Sequence, residues 1–222
     1  MPIRCDDLKP QDVYYILMLA CFLQSLRYLK FYRIRLLSLL LFISIITELC
    51  VEFYKCRALN YYIFYHFFNV AEYGLISLIL IDCIDKPIIK KLILWSIPAY
   101  ALASFYISSY IQPVVFFPAY GNNIEGLLVM SWCIIALLSI TPNDNRTIFQ
   151  RSSFWIILAF YLYFIVTLPF NGIFNPLMKN EVMRTSAKRS FNIINSVGNC
   201  CSYAMMLVGL FFYKWKKSIQ QS

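Results

Sequence analysis

Histidine is nearly absent from this sequence, which has one, at position 66, in 222 residues. Structural zinc sites need several His or Cys ligands at short spacings, and neither a CxxC pair nor a His–Cys spacing occurs. Nucleophile-elbow, Walker-loop and HExxH motifs are missing too. The sequence therefore predicts no metal, no cofactor and no catalytic site, although an enzyme that acts through carboxyl groups alone stays open.

Charged residues are also scarce. They make up 14% of the chain, against about 25% in soluble domains, while 60% of the residues are hydrophobic and 18% aromatic. The net charge of +9 could suggest nucleic acid, but the Lys and Arg residues lie scattered between apolar runs and form no basic face. We expect a lipid bilayer as the surroundings and no nucleic-acid partner.

Apolar runs long enough to cross a bilayer, which takes about 20 residues, recur along the whole chain. No polar region is large enough for a separate soluble domain, so residues 1–222 are predicted to form one all-α transmembrane domain. Seven spans are predicted, and the longest break between them is 171–189. The spans are 13–29, 36–54, 60–83, 92–111, 124–140, 154–170 and 190–213.

The distribution of positive charge predicts the orientation. If the N-terminus lies outside, twelve of the 20 Lys and Arg residues fall in cytoplasmic segments. The positive-inside rule therefore predicts that the N-terminus is outside and the C-terminus cytoplasmic. Cys5 and Cys56 lie in polar flanks, and whether they pair is left open.

The third predicted span carries polar residues inside the apolar run "YYIFYHFFNVAEYGLISLILI". On a helical wheel His66, Asn69 and Glu72 fall within an arc of about 140°, opposite an apolar face. A charged carboxylate at mid-membrane costs about 2.5–3.5 kcal/mol on insertion scales, so intramembrane acids usually mark sites or pathways. His66 alone has three open interpretations: a structural hydrogen-bond partner, a proton-linked switch, or a ligand.

Two further spans carry polar stripes. Asn192, Asn195, Asn199 and Tyr203 share an arc of about 120° in the last span, and Glu48 lies in the outer half of the second. In the predicted orientation these stripes converge near the outer face, where Glu125 in the fifth span joins them. The predicted ligand-binding residues are Glu48, His66, Asn69, Glu72, Asn192, Asn195, Asn199 and Tyr203. The alternative interpretation is that the stripes are hydrogen bonds between helices.

Three segments resemble small bacterial seven-helix membrane proteins of unknown function: "YHFFNVAEY", "FWIILAFYLYF" and "NCCSY". In that family the third helix carries Tyr-Asn followed six residues later by Glu. Tyr65 and Glu72 match this pattern, whereas His66 stands where Asn is usual. Matches to the later pieces are Phe154, Trp155, Asn199 and Tyr203. The resemblance implies a location in the bacterial inner membrane, which is a plasma membrane, and it implies no activity.

The sequence favours a sensor or receptor-like protein with an outward-facing polar pocket for a small molecule. Its cytoplasmic loops are short, so a signal would pass by helix movement to a separate cytoplasmic or membrane partner. Two alternatives stay open. One is a small-solute or ion-coupled transporter, and the other is a structural subunit of a membrane complex.

Overall fold

The computed structural model describes residues 10–140, 147–179 and 184–219, and it describes the backbone alone at 10–11, 170, 173–179, 184–188, 191–192 and 214–219. The described part is mainly helical and contains no strand. Its α-helices are α1 (Pro10–Leu26), α2 (Tyr32–Cys56), α3 (Tyr62–Ile81), α4 (Pro87–Tyr106), α5 (Ala119–Leu138), α6 (Ser152–Lys179) and α7 (Arg184–Ile219). A π-helical turn, Ile107–Ile111, continues α4.

Six of these helices are long and apolar enough to cross a membrane, whereas α1 is a shorter apolar helix. This agrees with the prediction of an all-α membrane protein. The predicted spans 154–170 and 190–213 agree with the apolar segments Ser152–Pro169 and Ile193–Tyr213, but the helices extend beyond them, α6 to Lys179 and α7 from Arg184. Polar residues end a membrane span but do not end a helix, since water can solvate a polar helix outside the bilayer.

Six helices form a closed ring. Along the ring, α1 packs against α2, α2 against α3, α3 against α5, α5 against α6, and α6 against α7, which returns to α1. In contrast, α4 packs outside the ring, mainly on α3. Its outer face is strongly exposed, with Trp95 at 75% and Leu102 at 71%, as expected for a helix that faces lipid.

The two ends of the ring differ in packing. At the end where α3 finishes, the interior is filled by fully buried apolar side chains from α2, α3, α6 and α7. We call this cluster the apolar plug; its members include Ile34, Leu37, Ile79, Leu80, Ile156, Ile157 and Leu210. Close-packed side chains of this kind leave no route for water.

A polar clamp holds the plug end together. The Arg33 guanidinium donates to the Asp82 carboxylate at 2.8 and 3.0 Å and to the Asp82 carbonyl at 3.0 Å. It also donates to the Ser153 hydroxyl. The side chain therefore joins the start of α2, the end of α3 and the start of α6, with the fork geometry that arginine supplies and lysine cannot.

Close helix contact between α6 and α7 depends on Gly209. A Cβ atom added there would lie 3.1 Å from the Ser152 carbonyl oxygen and 3.1 Å from Ile156 Cγ1. Because a backbone oxygen cannot move aside cheaply, a larger residue at this position would have to push α6 and α7 apart by a few tenths of an ångström. Gly74 offers a matched control, because its added Cβ would meet Ile97 Cγ2 at an ordinary 3.8 Å.

We predict that Gly209→Ala lowers the free energy of unfolding by about 1 kcal/mol. Overpacking costs about 1–3 kcal/mol, and the higher helix propensity of alanine offsets about 1 kcal/mol of this cost. Gly74→Ala should leave stability unchanged or raise it by up to about 1 kcal/mol. Unfolding of the purified protein in mixed detergent micelles measures both. Equal stability of the two variants would contradict the tight α6–α7 contact.

Candidate functional site

The half of the ring opposite the apolar plug encloses a cavity of about 880 Å³. Residues of α1, α2, α3, α5, α6 and α7 line it, and α4 contributes none among the described residues. Ala58 and Leu59, which are exposed in the connection between α2 and α3, also line it. The cavity therefore opens at the end where α1 begins, and the plug closes its floor.

Three carboxyl groups lie deep in this cavity. Glu48 is eight residues before the end of α2, about 12 Å along the helix axis, and Glu72 is about 15 Å from the start of α3. Glu125 is about 9 Å from the start of α5 and only 1% exposed. Glu72 is half-buried and lines the cavity.

Tyrosines surround Glu48. The Tyr15 hydroxyl donates to Glu48 Oε2 at 3.2 Å, and Tyr14 and Tyr65 lie close enough to feel the charge of this carboxylate. The ring of Tyr14 lies 4.3 Å from that of Tyr15, centroid to centroid. This arrangement places a carboxylate among tyrosine hydroxyls.

The second acidic region joins α3 and α5. Glu72 and Glu125 lie close enough for their charges to repel, and the Tyr100 hydroxyl contacts Glu125 Oε2 at 3.4 Å. The other oxygen, Glu125 Oε1, is buried and has no hydrogen-bond partner within the described part of the chain. Two carboxyl groups so close together either share a proton or need a positively charged partner beside them.

Tyr163 and Tyr203 connect the two acidic regions. Each of these tyrosines interacts electrostatically with both Glu48 and Glu72. Both line the cavity, one on α6 and the other on α7. The carboxyl groups therefore belong to one continuous aromatic-walled space.

The asparagines have different roles. The Asn69 side-chain amide nitrogen donates to the side-chain oxygen Oδ1 of Asn122 and so joins α3 to α5, as the interpretation of interhelical hydrogen bonding expects. Asn199 instead donates to the Asn195 backbone oxygen in its own helix, at 3.0 Å. Both Asn195 and Asn199 line the cavity, where they add polar surface without bridging helices through this bond.

His66 lies away from the cavity lining. Its Nε2 lies 3.1 Å from the Phe116 carbonyl oxygen, and its Nδ1 lies 2.7 Å from the Ser108 hydroxyl. Because a carbonyl can only accept, Nε2 carries the proton, and the neutral ring accepts from Ser108 at Nδ1. The single histidine thus ties α3 to the π-helical turn and to the loop after it.

Gln112 organises the same loop. Its amide nitrogen donates to the Phe117 carbonyl, and its amide oxygen accepts from the Tyr120 backbone nitrogen at 3.2 Å. Gln112 is 4% exposed, so both bonds are shielded from water. The loop packs Phe117 against Tyr62 and Tyr65 at the cavity wall. His66 therefore supports the cavity from outside.

Six of the eight predicted ligand-binding residues line the cavity: Glu48, Asn69, Glu72, Asn195, Asn199 and Tyr203. His66 does not, and the side chain of Asn192 lies outside the described ones. Sequence reasoning left Glu125 out of the set, although a single acid in the apolar α5 was a usable signal. Apart from Tyr203, sequence reasoning did not predict the tyrosines that line the cavity, because the 17 tyrosines are spread along the whole chain and form no pattern.

No family model matches this chain, and no curated protein or solved structure matches it.

The described acidic side chains do not form a metal-binding cluster. Among the described residues no three His, Cys, Asp or Glu side chains lie close enough to hold a metal ion. Cys5 lies outside the described residues, so its pairing with the exposed Cys56 stays open. The function must therefore follow from the cavity itself.

We predict that His66→Phe, which keeps a ring but loses both hydrogen bonds, lowers the free energy of unfolding by about 1–2 kcal/mol. Ser108→Ala should cost about 1 kcal/mol, and the double variant should cost less than the sum because both changes remove the same bond. Unfolding in mixed micelles measures all three. Additive losses would show that His66 and Ser108 act separately.

Proposed function

We propose that this chain is a seven-span membrane protein that binds a small molecule in the cavity and signals through a partner protein. The observation that carries the proposal is a cavity of about 880 Å³, open at one end, with carboxyl groups in its depth. Cavities of about 300–1,000 Å³ are the usual size for small-molecule sites. The apolar plug below makes it a pocket, not a channel.

Buried carboxyl groups support a binding role. Acids inside a membrane domain are expensive to insert and usually mark sites, relays or pathways. Stability alone would be served better by apolar side chains of similar volume. Glu125 has an unpartnered oxygen and lies close to the charge of Glu72. A ligand that binds both carboxyl groups would offset the free energy that their burial costs.

The α7 helix offers a route for a signal. Its 36 residues span about 54 Å, well beyond the about 30 Å of a hydrocarbon core. It carries cavity residues from Asn195 to Met206, then Leu210 in the plug, then Tyr213. The Tyr213 ring packs on Phe31 and Tyr28 beside the start of α2. A ligand that shifts α7 would therefore shift the closed end as a rigid body.

The orientation completes the proposal. With the N-terminus outside, the cavity opens to the outer face, and the plug end carries the excess of Lys and Arg. A cytoplasmic or membrane-embedded partner would then meet the plug end. The resemblance to small bacterial seven-helix proteins supports placement in the bacterial inner membrane.

A transporter is the second candidate. An alternating-access protein in its outward-open state also has a cavity closed at one end, with a coupling acid near mid-membrane. Glu72 and Glu125 suit that role. The two candidates differ in whether the cavity ever opens toward the plug end.

We predict that a membrane-impermeant thiol reagent applied from outside labels Thr47→Cys rapidly and leaves Ser77→Cys unlabelled. Thr47 lines the cavity, whereas Ser77 is fully buried outside it. Both changes are nearly isosteric and lie on adjacent helices. Right-side-out vesicles, with Cys5 and Cys56 replaced by serine to lower the background, measure the two rates.

The sidedness of labelling separates the candidates. A sensor should label Thr47→Cys from the outer face only, while a transporter should also label it from inside under turnover conditions. Equal rates at Thr47→Cys and Ser77→Cys would contradict an accessible cavity. Labelling from the inner face alone would contradict the orientation.

A further inference from the structure

We infer that the cavity is a site for an organic cation, a small molecule that carries a protonated amine or a quaternary ammonium group on a compact apolar body. This inference rests on the ligand-binding function proposed above and names the chemistry of its ligand. Charge, aromatic walls and an unsatisfied carboxylate oxygen together lead to it.

The charge of the lining selects against anions. Four acids line the cavity, Glu48, Glu52, Glu72 and Glu125, against one basic residue among the described lining, Lys55. That lysine forms an ion pair within the chain, since its Nζ lies 2.8 Å from Glu52 Oε1 at the rim of the cavity. A cleft of one charge sign walled by low-dielectric material concentrates ions of the opposite sign.

The walls are aromatic where the carboxyl groups lie. Seven tyrosines and four phenylalanines line the cavity, and Glu48 has Tyr14, Tyr15 and Tyr65 around it. Ring faces attract cations within about 6 Å of the centroid, and this attraction is the usual means of holding quaternary ammonium groups. An inorganic ion would gain less from such walls than an alkylated cation.

The rim contains the same interaction within the chain. The Lys55 ammonium lies 5.2 Å from the Tyr61 ring centroid and also contacts the Glu52 carboxylate. An alkylammonium group is thus held between a carboxylate and a tyrosine face. Deeper in the cavity a carboxylate and a tyrosine are neighbours again, at Glu48 and Tyr65, and the charge of Lys55 also reaches Glu48.

The depth of the cavity calls for a molecule, not a bare ion. Glu125 Oε1 is buried without a hydrogen-bond donor in the described part of the chain, and the Glu125 side chain lines the cavity. No three described acidic, His or Cys side chains converge on one point. A ligand with a charged head and an apolar body fills a space of this size, satisfies a carboxylate and packs on Phe160 and Phe164.

A pair of oppositely charged thiol reagents tests the electrostatic potential inside the cavity. Thr47→Cys is labelled in purified full-length protein by trimethylammonioethyl methanethiosulfonate, a cation, and by sulfonatoethyl methanethiosulfonate, an anion. The ratio of the two rates, divided by the ratio for a free thiol in solution, cancels changes in thiol reactivity. We expect this normalised ratio to favour the cation about tenfold or more.

Matched variants assign the effect to the carboxyl groups. Glu48→Gln and Glu72→Gln should each reduce the preference for the cation. Two variants are used so that the test still stands if one of them does not fold. Asp85→Asn, an exposed acid at the plug end, removes the same charge far from the cavity and should leave the ratio unchanged. A normalised ratio near one in the parent protein overturns the inference.

Protection by choline tests occupancy. Choline should slow labelling of Thr47→Cys by an uncharged maleimide in a saturable way, and its neutral isostere, with carbon in place of nitrogen, should not. Tyr65→Phe keeps the ring face and should keep the protection, whereas Tyr65→Leu should weaken it about tenfold. Equal protection by choline and the isostere, or none by either, overturns the inference.

The outcomes for the two proposals are distinguishable. If Thr47→Cys labels well but shows no preference for cations, the cavity is accessible and the ligand class is wrong. If Thr47→Cys labels no faster than Ser77→Cys, the cavity is closed to small molecules and the proposed function fails with the inference.

Discussion

The rest of the structure depends on the interaction between carboxyl groups and the low-dielectric bundle that encloses them. Glu48, Glu72 and Glu125 lie on helices whose other faces are apolar, and hydrocarbon cannot solvate their charge. The helices therefore turn these residues inward. A ring of six helices around a cavity gives the carboxyl groups space, tyrosine hydroxyls and access to one end of the bundle.

The two ends of the bundle have opposite tasks. Apolar side chains such as Ile79 and Leu210 fill one end, and Arg33 fastens three helices there. At the other end, His66 and Gln112 hold the loop after α4 against the cavity wall. Support at both ends surrounds the cavity, and its lining includes a buried carboxylate oxygen without a hydrogen-bond partner among the described residues, Glu125 Oε1. Sites built on rigid scaffolds commonly show this division.

Helix periodicity predicted much of the candidate site and failed where contact partners mattered. Glu48, Asn69 and Glu72 fall on polar stripes, and the stripes meet because a membrane gives them no other place. His66 lies on the same stripe, yet it bonds to Ser108 and Phe116. A helical wheel cannot predict that a loop 50 residues later folds back over one position, since this contact depends on the π-helical turn and on Gln112.

The sequence by itself determined the all-helical class and most of the helix positions, because apolar runs of bilayer length permit little else. It also determined that the acids lie inside. Only the tertiary structure decided that α4 lies outside the ring and that α6 and α7 continue through the polar segment. The tertiary structure alone placed Glu125 near Glu72 and brought tyrosines from α1, α3, α6 and α7 near Glu48. Such groupings depend on which helices become neighbours, and the period of a single helix carries no information about its neighbours.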